Sequence, residues 1–220
     1  MLVGHFAVGL MAKRFEPSIS LGTLVLAAML ADLLWCVFML AGIEHVQFKP
    51  GMGAGNYFAA ADIAMSHSLL MDMVWAGLLA AAYFWRHHYP RAAWILFGAV
   101  LSHWLLDWIS HRPDMPLAPG SHALFGLGLW TSIPATVIVE GGFWLLAVIL
   151  YARATHPKTR TGVYAYWSVV GLLTLAWYNN IAGPPPRNPQ TVPIASFIFF
   201  SLVVGWAYRM NRVRSNQSWN

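Results

Sequence analysis

Three ionisable side chains, His103, Asp107 and His111, recur at four-residue steps in the run SHWLLDWISHRPDMPLAP, residues 102–119. Four steps on an α-helix turn about 400°, so each of the three lies only about 40° round from the one before. They make one polar stripe on an apolar rod. The spacing His-x-x-x-Asp lets a single turn present an imidazole and a carboxylate to one cation. Pro113 lacks a backbone donor and disfavours helix at Arg112, so the helix should stop near His111. Asp114 and Arg112 would then stand at its mouth, with His111 and Asp114 as an acid/base pair, ligands of a second metal, or a solvated cap.

Further groups of the same chemistry lie elsewhere. His67 sits between Ser66 and Ser68, and Asp32 is a lone carboxylate in LAAMLADLLW. Glu140 and Asp72 could orient ligand imidazoles from behind. Asp72 is five residues from His67, about 140° round a continuous helix, so it falls off the His67 face. His5 lies on a short apolar segment, where a surface histidine is the simpler reading. His45, His87, His88, His122 and His156 read as ordinary loop or interfacial residues.

The elements that must position these groups are membrane helices. Of 220 residues, 58% are hydrophobic and 10% charged, with a mean hydropathy of +0.55. A soluble domain carries about a quarter charged residues, so the chain reads as an integral membrane protein. Twelve Trp and eight Tyr suit interfacial belts. The formal charge of +5 is scattered between apolar runs, which points to membrane topology rather than nucleic acid. The single cysteine, Cys36, excludes an internal disulfide and a Cys-rich zinc site. Glycines 51, 53 and 55 lack the Lys-Ser/Thr ending of a phosphate-binding loop.

The pattern predicts an all-α polytopic bundle of about six transmembrane helices plus a short N-terminal apolar helix. The spans fall at about 20–42, 62–85, 92–111, 131–151, 163–178 and 192–208. Residues 1–12 are too short to cross about 30 Å of hydrocarbon and should dip in or pack against the bundle. One transmembrane domain covers 1–209, followed by a polar, frayed tail at 210–220. The first apolar run exceeds a signal-peptide core of about 7–15 residues and contains Asp32, so it reads as a retained span. Lys13, Arg14, Arg86, Arg91, Arg153, Lys158, Arg160, Arg209, Arg212 and Arg214 fall on one side of this arrangement. Only Lys49, Arg112 and Arg187 fall on the other. The positive-inside rule then puts both termini in the cytoplasm. His67, His103, Asp107, Asp32 and Glu140 all come out ~6–15 Å below the outer ends of their spans. A carboxylate at such depth costs about 2.5–3.5 kcal/mol, which clustering around a cation offsets.

Together, GHFAVGL near the N-terminus, Asp32, Ser66-His67-Ser68 and the run at 102–119 resemble the YdjM family, whose LexA-binding, inner-membrane-associated type is described as a membrane-bound metal-dependent hydrolase. The resemblance covers roughly the first 120 residues. It implies a divalent-metal site of His5, Asp32, His67, His103 and Asp107, and it raises His5 above what its own context supports. The order His, Asp, His, His-x-x-x-Asp is also similar to the zinc phospholipase C and P1 nuclease arrangement. Where the family commonly shows Pro-Asp-x-Asp, this chain reads Ala31-Asp32-Leu33-Leu34, which favours one metal over two or three.

The expectation is therefore a metal-dependent hydrolase in the inner or plasma membrane. Zinc suits ligands that combine imidazole and carboxylate. The ion would activate water against an ester or phosphoester, small or lipid-derived, near the outer leaflet, with His111, Asp114 and Glu140 moving protons. Two competing readings use the same residues. One is a transporter with a proton or ion relay; the other is a non-catalytic membrane scaffold stapled by metal.

Overall fold

The computed structural model describes residues 1–48, 58–184, 186 and 188–216. Helix α1 (Leu2–Phe15) is the axis of the bundle, with Val3, His5, Phe6, Ala7 and Leu10 all buried. It packs against α2 (Leu21–Ala28), α6 (Pro90–Ser110) and α8 (Gly142–Ala154). Gly9 permits the α1–α2 contact: a Cβ there would lie 3.0 Å from the Val25 Cα. Small residues at helix crossings let backbones approach closely within a membrane.

The first expected span is bent. Helix α2 is followed, after Met29, by α3 (Leu30–Leu40) at an angle of 58°. There is neither proline nor glycine at the bend. Instead His103 Nδ1 hydrogen-bonds the Ala28 carbonyl at 2.9 Å; a side chain inserted at a helical ladder is an established cause of a sharp kink. The second expected span is also interrupted. A hairpin of β1 (His45–Phe48) and β2 (Phe58–Asp62) leads into the single turn α4 (Ala64–His67), and the chain goes extended at Ser68 before α5 (Leu69–His87). The Ser68 side chain caps α5 by accepting from Met71 N. Lys49 and the glycine cluster lie outside the described residues.

Helix α6 pairs with α5 across the tight turn at His88, whose φ of 51° is left-handed. It ends at Ser110, as the Pro113 argument requires. The strands β3 (Met115–Pro116) and β4 (Leu124–Phe125) fold back over that end. Leu127 N and Gly128 N there bond the Trp108 and His111 carbonyls, which would otherwise be stranded. Helix α7 (Ile133–Thr136), a π-helical turn (Val137–Gly141) and α8 form one apolar rod. Strand β5 (Thr155–Pro157), α9 (Arg160–Ala182) and α10 (Val192–Val213) complete the chain. Pro185 and Arg187, in the proline-rich connector, lie outside the described residues.

Among the described residues, four helices are long and apolar enough to cross a membrane: α5, α6, the α7–α8 rod and α10. The bent α2–α3 pair would make a fifth if it crosses as one broken span rather than turning back as a re-entrant loop. Helix α9, read as a span from the sequence, has 23 residues, but its Arg, Tyr, Trp and Asn side chains dilute its apolarity. Large apolar side chains such as Leu78, Ile138, Leu145, Leu175 and Leu202 point outward, as a lipid-facing surface demands.

Two further expectations change. The tail is not frayed at 210: α10 continues to Val213, and β6 (Arg214–Asn216) pairs with β5. Arg214 is buried there, its guanidinium over the rings of Tyr151 and Tyr166 and bonded to Thr155. The two ends of the described chain also do not share one end of the bundle. Helix α1 begins beside Asp107, near the C-terminus of α6, and finishes where Arg91 bonds the Phe15 carbonyl, near the start of α6. Asn216 meets Pro17 at that second end, whereas Met1 lies with the polar cluster at the first.

At the second end Glu16 accepts from Tyr89 and Ser18 and pairs with Arg91 at 3.3 Å. Burial opposes ionisation of Glu16, but the Ser18 and Tyr89 hydroxyls and the Arg91 charge outweigh it and hold the carboxyl below its ordinary value. A depressed carboxylate stabilises the fold above its unfolded pKa, about 4.3, and that contribution drains as pH falls through the lower folded value. Glu16→Gln should therefore lower the melting temperature at pH 7 by roughly 2–4 °C. Thermal unfolding of both proteins in detergent should show that gap closing towards pH 3.

Candidate metal centre

Four elements bring side chains to one point. Helix α1 supplies His5 one turn from its start. Helix α3 supplies Asp32 from its first turn, just past the bend. Helix α4 supplies His67 as its last residue. Helix α6 supplies His103 and Asp107 from one face. The breaks at Met29 and Ser68 are thus part of the site, since each re-aims a short helix towards α6.

The distances are those of a coordination shell. His103 Nε2 lies 3.3 Å from Asp107 Oδ2 and 3.7 Å from Asp32 Oδ1. His67 Nε2 lies 3.6 Å from Asp32 Oδ1 and 3.9 Å from Asp107 Oδ2. Ligands about 2.0–2.1 Å from a tetrahedral zinc stand about 3.3 Å apart, so these four atoms approach the edges of such a polyhedron. His5 approaches from the other side of Asp107, its Nε2 3.0 Å from Oδ1. Its ring stacks on His103 with centroids 3.6 Å apart. The Met1 nitrogen also bonds Asp107 Oδ1, and it lies 3.0 Å from His5 Nε2. Donor atoms of His5, His103 and Asp107, and of Asp32, His67 and His103, each fall within 4.8 Å of one another.

His103 shows why a cation fits. The Ala28 carbonyl can only accept, so Nδ1 carries a proton. A neutral ring then turns the Nε2 lone pair on two carboxylate oxygens, and that buried nitrogen makes no hydrogen bond. Acceptors facing acceptors at 1% exposure are costly unless positive charge lies between them. The Nδ1–H to carbonyl bond is the usual way a metal-binding imidazole is oriented.

A cavity of about 220 Å³ opens onto the cluster. His5, Asp32, His67, Asp107 and His111 reach it, and Trp35, Val46, Trp130 and Phe200 supply apolar wall. His111 packs on the Trp130 ring at 4.8 Å, and its Nδ1 is 2.9 Å from Asp114 Oδ1. Arg112 holds the other Asp114 oxygen at 3.5 Å. His111 thus faces the cavity with a carboxylate behind it.

All five expected ligands come together, including His5, which is 2% exposed and no surface residue. Glu140 does not line the cavity. Its carboxylate accepts from Val3 N at 3.0 Å and Trp130 Nε1 at 3.3 Å, holding α1 and the Trp130 wall in place from the π-helical turn. Asp72 does not line the cavity; it is buried behind α6, accepts from Trp104 N, and is near enough for its charge to act on His103 and His67. Sequence reasoning missed Glu44, whose carboxylate takes both the amide and the hydroxyl of Ser66. Burial pushes the Glu44 carboxyl up from its ordinary value, against the pull of Ser66. It also missed Asn180 and Ser196, which bring α9 and α10 to the cavity. A lone acid just past an apolar span was the only signal for Glu44; Asn180 and Ser196 had none.

Fold and cluster together define an all-helical integral membrane protein with a buried His/Asp group able to hold a metal ion. The family model described as YdjM inner membrane protein matches residues 1–182, and the chain belongs to that family. The match runs past the roughly 120 residues that carry the motifs, to the end of α9. No curated protein and no solved structure matches the chain.

Proposed function

We propose that this protein is a metal-dependent hydrolase of the membrane, acting on an ester or phosphoester that carries an apolar, lipid-derived part. The observation that carries the reading is the convergence of Asp32, His67, His103 and Asp107 around a His103 Nε2 that has no hydrogen-bond partner. These four residues would hold one divalent ion, with His5 on the far oxygen of Asp107. Zinc is favoured by imidazole and carboxylate donors. Such an ion, when bound, supplies Lewis acidity and makes water a nucleophile near neutral pH.

The chain's own residues do the rest. The breaks after α2 and α4 orient Asp32 and His67, and the Ala28 carbonyl fixes the His103 ring. His111, backed by Asp114, takes a proton from the nucleophile and returns it to the leaving group. Trp35, Val46 and Phe200 offer an apolar wall to an acyl or prenyl chain, while Asn180 and Ser196 can hydrogen-bond a headgroup. The loops joined through Glu16 and Arg91 carry basic residues and lie at the opposite end of α6. By the positive-inside rule they face the cytoplasm, so the cavity faces outward.

Purified protein in mixed micelles should release product from a panel of chromogenic carboxylic and phosphate esters. A chelator should remove activity by at least about 100-fold and zinc should restore it. Stoichiometric metal with no turnover across the panel would replace this reading with a metal-stapled scaffold. Ion or proton flux in proteoliposomes without bound metal would replace it with a transporter whose His103 is an imidazolium.

A further inference from the structure

Whether His67 offers the cluster a lone pair or an N–H depends on which ring nitrogen bears its proton, and the chain sets this from outside the ligand shell. Glu44 lies past the end of α3, 1% exposed, and Ser66 is wholly buried beside it. Glu44 Oε1 accepts from Ser66 N and Oε2 from Ser66 Oγ, both at 2.7 Å. Ser66 Oγ is also 2.7 Å from His67 Nδ1. A serine hydroxyl has one proton. An ionised carboxylate can only accept, so that proton goes to Glu44; the other acceptor in reach, the Ile63 carbonyl at 3.4 Å, would also draw it away from His67. The hydrogen bond to His67 must therefore run the other way, from Nδ1–H to Oγ. Nε2 is left as a lone pair facing Asp32 and Asp107, 3.6 and 3.9 Å away.

We propose that Glu44 and Ser66 are positioning residues that lock His67 in its Nδ1–H tautomer and so make it a metal ligand. The assignment rests on the metal reading above; it gives Ser66 a role within its motif and adds Glu44, which lies outside the motifs that carry the family resemblance. It also explains why a carboxylate is buried behind a serine of α4. Two donors, the amide and the hydroxyl, need two acceptors, and glutamate alone among side chains of this length offers both. Glutamine has one acceptor and one donor. If its oxygen meets Ser66 N, its NH₂ donates to Oγ, and the serine proton turns to His67 or Ile63. If the amide flips, NH₂ faces N–H. In the first case His67 shifts towards the Nε2–H tautomer and its lone pair leaves the cluster.

The experiment uses the full chain in detergent, with zinc as probe. Zinc affinity is measured by competition for wild type, Glu44→Gln, Ser66→Ala and the double variant. The tautomer of His67 is read without metal from two-bond ¹H–¹⁵N correlations of histidine-labelled protein. Each single variant should bind zinc about 10–100-fold more weakly, and the double variant no more weakly than the singles, because Glu44 acts through the Ser66 hydroxyl. In Glu44→Gln the His67 signals should move from the Nδ1–H towards the Nε2–H pattern. Wild-type affinity and an unmoved tautomer in a folded Glu44→Gln would overturn the assignment and leave the metal centre standing, as would losses that add in the double variant. Wild type that binds no zinc would end the metal reading and this assignment together.

Discussion

His103→Ala is expected to leave purified protein with no stoichiometric metal. His103 is the one residue common to both donor groups, and it touches both Asp32 and Asp107 through a single nitrogen. Loss of a residue that merely orients a ligand typically costs 10–100-fold in metal affinity. Loss of this ligand should cost more than about 100-fold, enough to strip the ion during purification. It also leaves the buried Asp107 and the part-buried Asp32 carboxylates with less positive charge between them, so the variant should melt lower as well. Elemental analysis beside a thermal melt reads both effects. Full metal content in a folded His103→Ala protein would dismiss the ligand assignment.

His111→Ala should do the opposite: keep the metal and lose the rate. His111 faces the cavity but approaches none of the four clustered donor atoms at ion-pair distance among the contacts described, and its nearest acidic partner is Asp114. A positioned acid/base contributes about 10²–10⁴-fold. Turnover on the best ester of the panel should fall by that factor at unchanged metal stoichiometry. Asp114→Asn, which keeps the ring but loses the charge behind it, should cost part of it. A His111→Ala enzyme as fast as wild type would move the proton transfers elsewhere.

Much of the centre was legible in the sequence because membranes make ionisable groups conspicuous. In an apolar run, Asp32, His67, His103 and Asp107 have no cheap alternative to meeting one another, and i, i+4 spacing tied two of them to one face. His5 was harder, since a histidine four residues into a short apolar segment looks like a surface residue until α1 is seen to be the axis of the bundle. The bends were not legible at all. Nothing in LAAMLADLLW marks Met29 as a break, because the group that bonds the Ala28 carbonyl before it is a side chain 75 residues from Ala28. Ser68 likewise looks like any serine in a span. Glu140 shows the limit of depth arguments: it lies at the right level, yet its carboxylate serves Val3 and Trp130. Glu44 was invisible because its partner is two backbone and hydroxyl donors, not a charge.

The burial of α1 has a consequence for biogenesis. His5 meets Asp107 across 102 positions and Val3 meets Glu140 across 137, so α1, although it also packs on the adjacent α2, can complete its contacts only after α6 and α8 have been made. It is too short to hold a bilayer by itself and must wait at the interface while later rods are inserted. Completing its seat is then a late event of assembly, and damage to α8 would be felt at α1, far away in sequence, before any chemistry is lost.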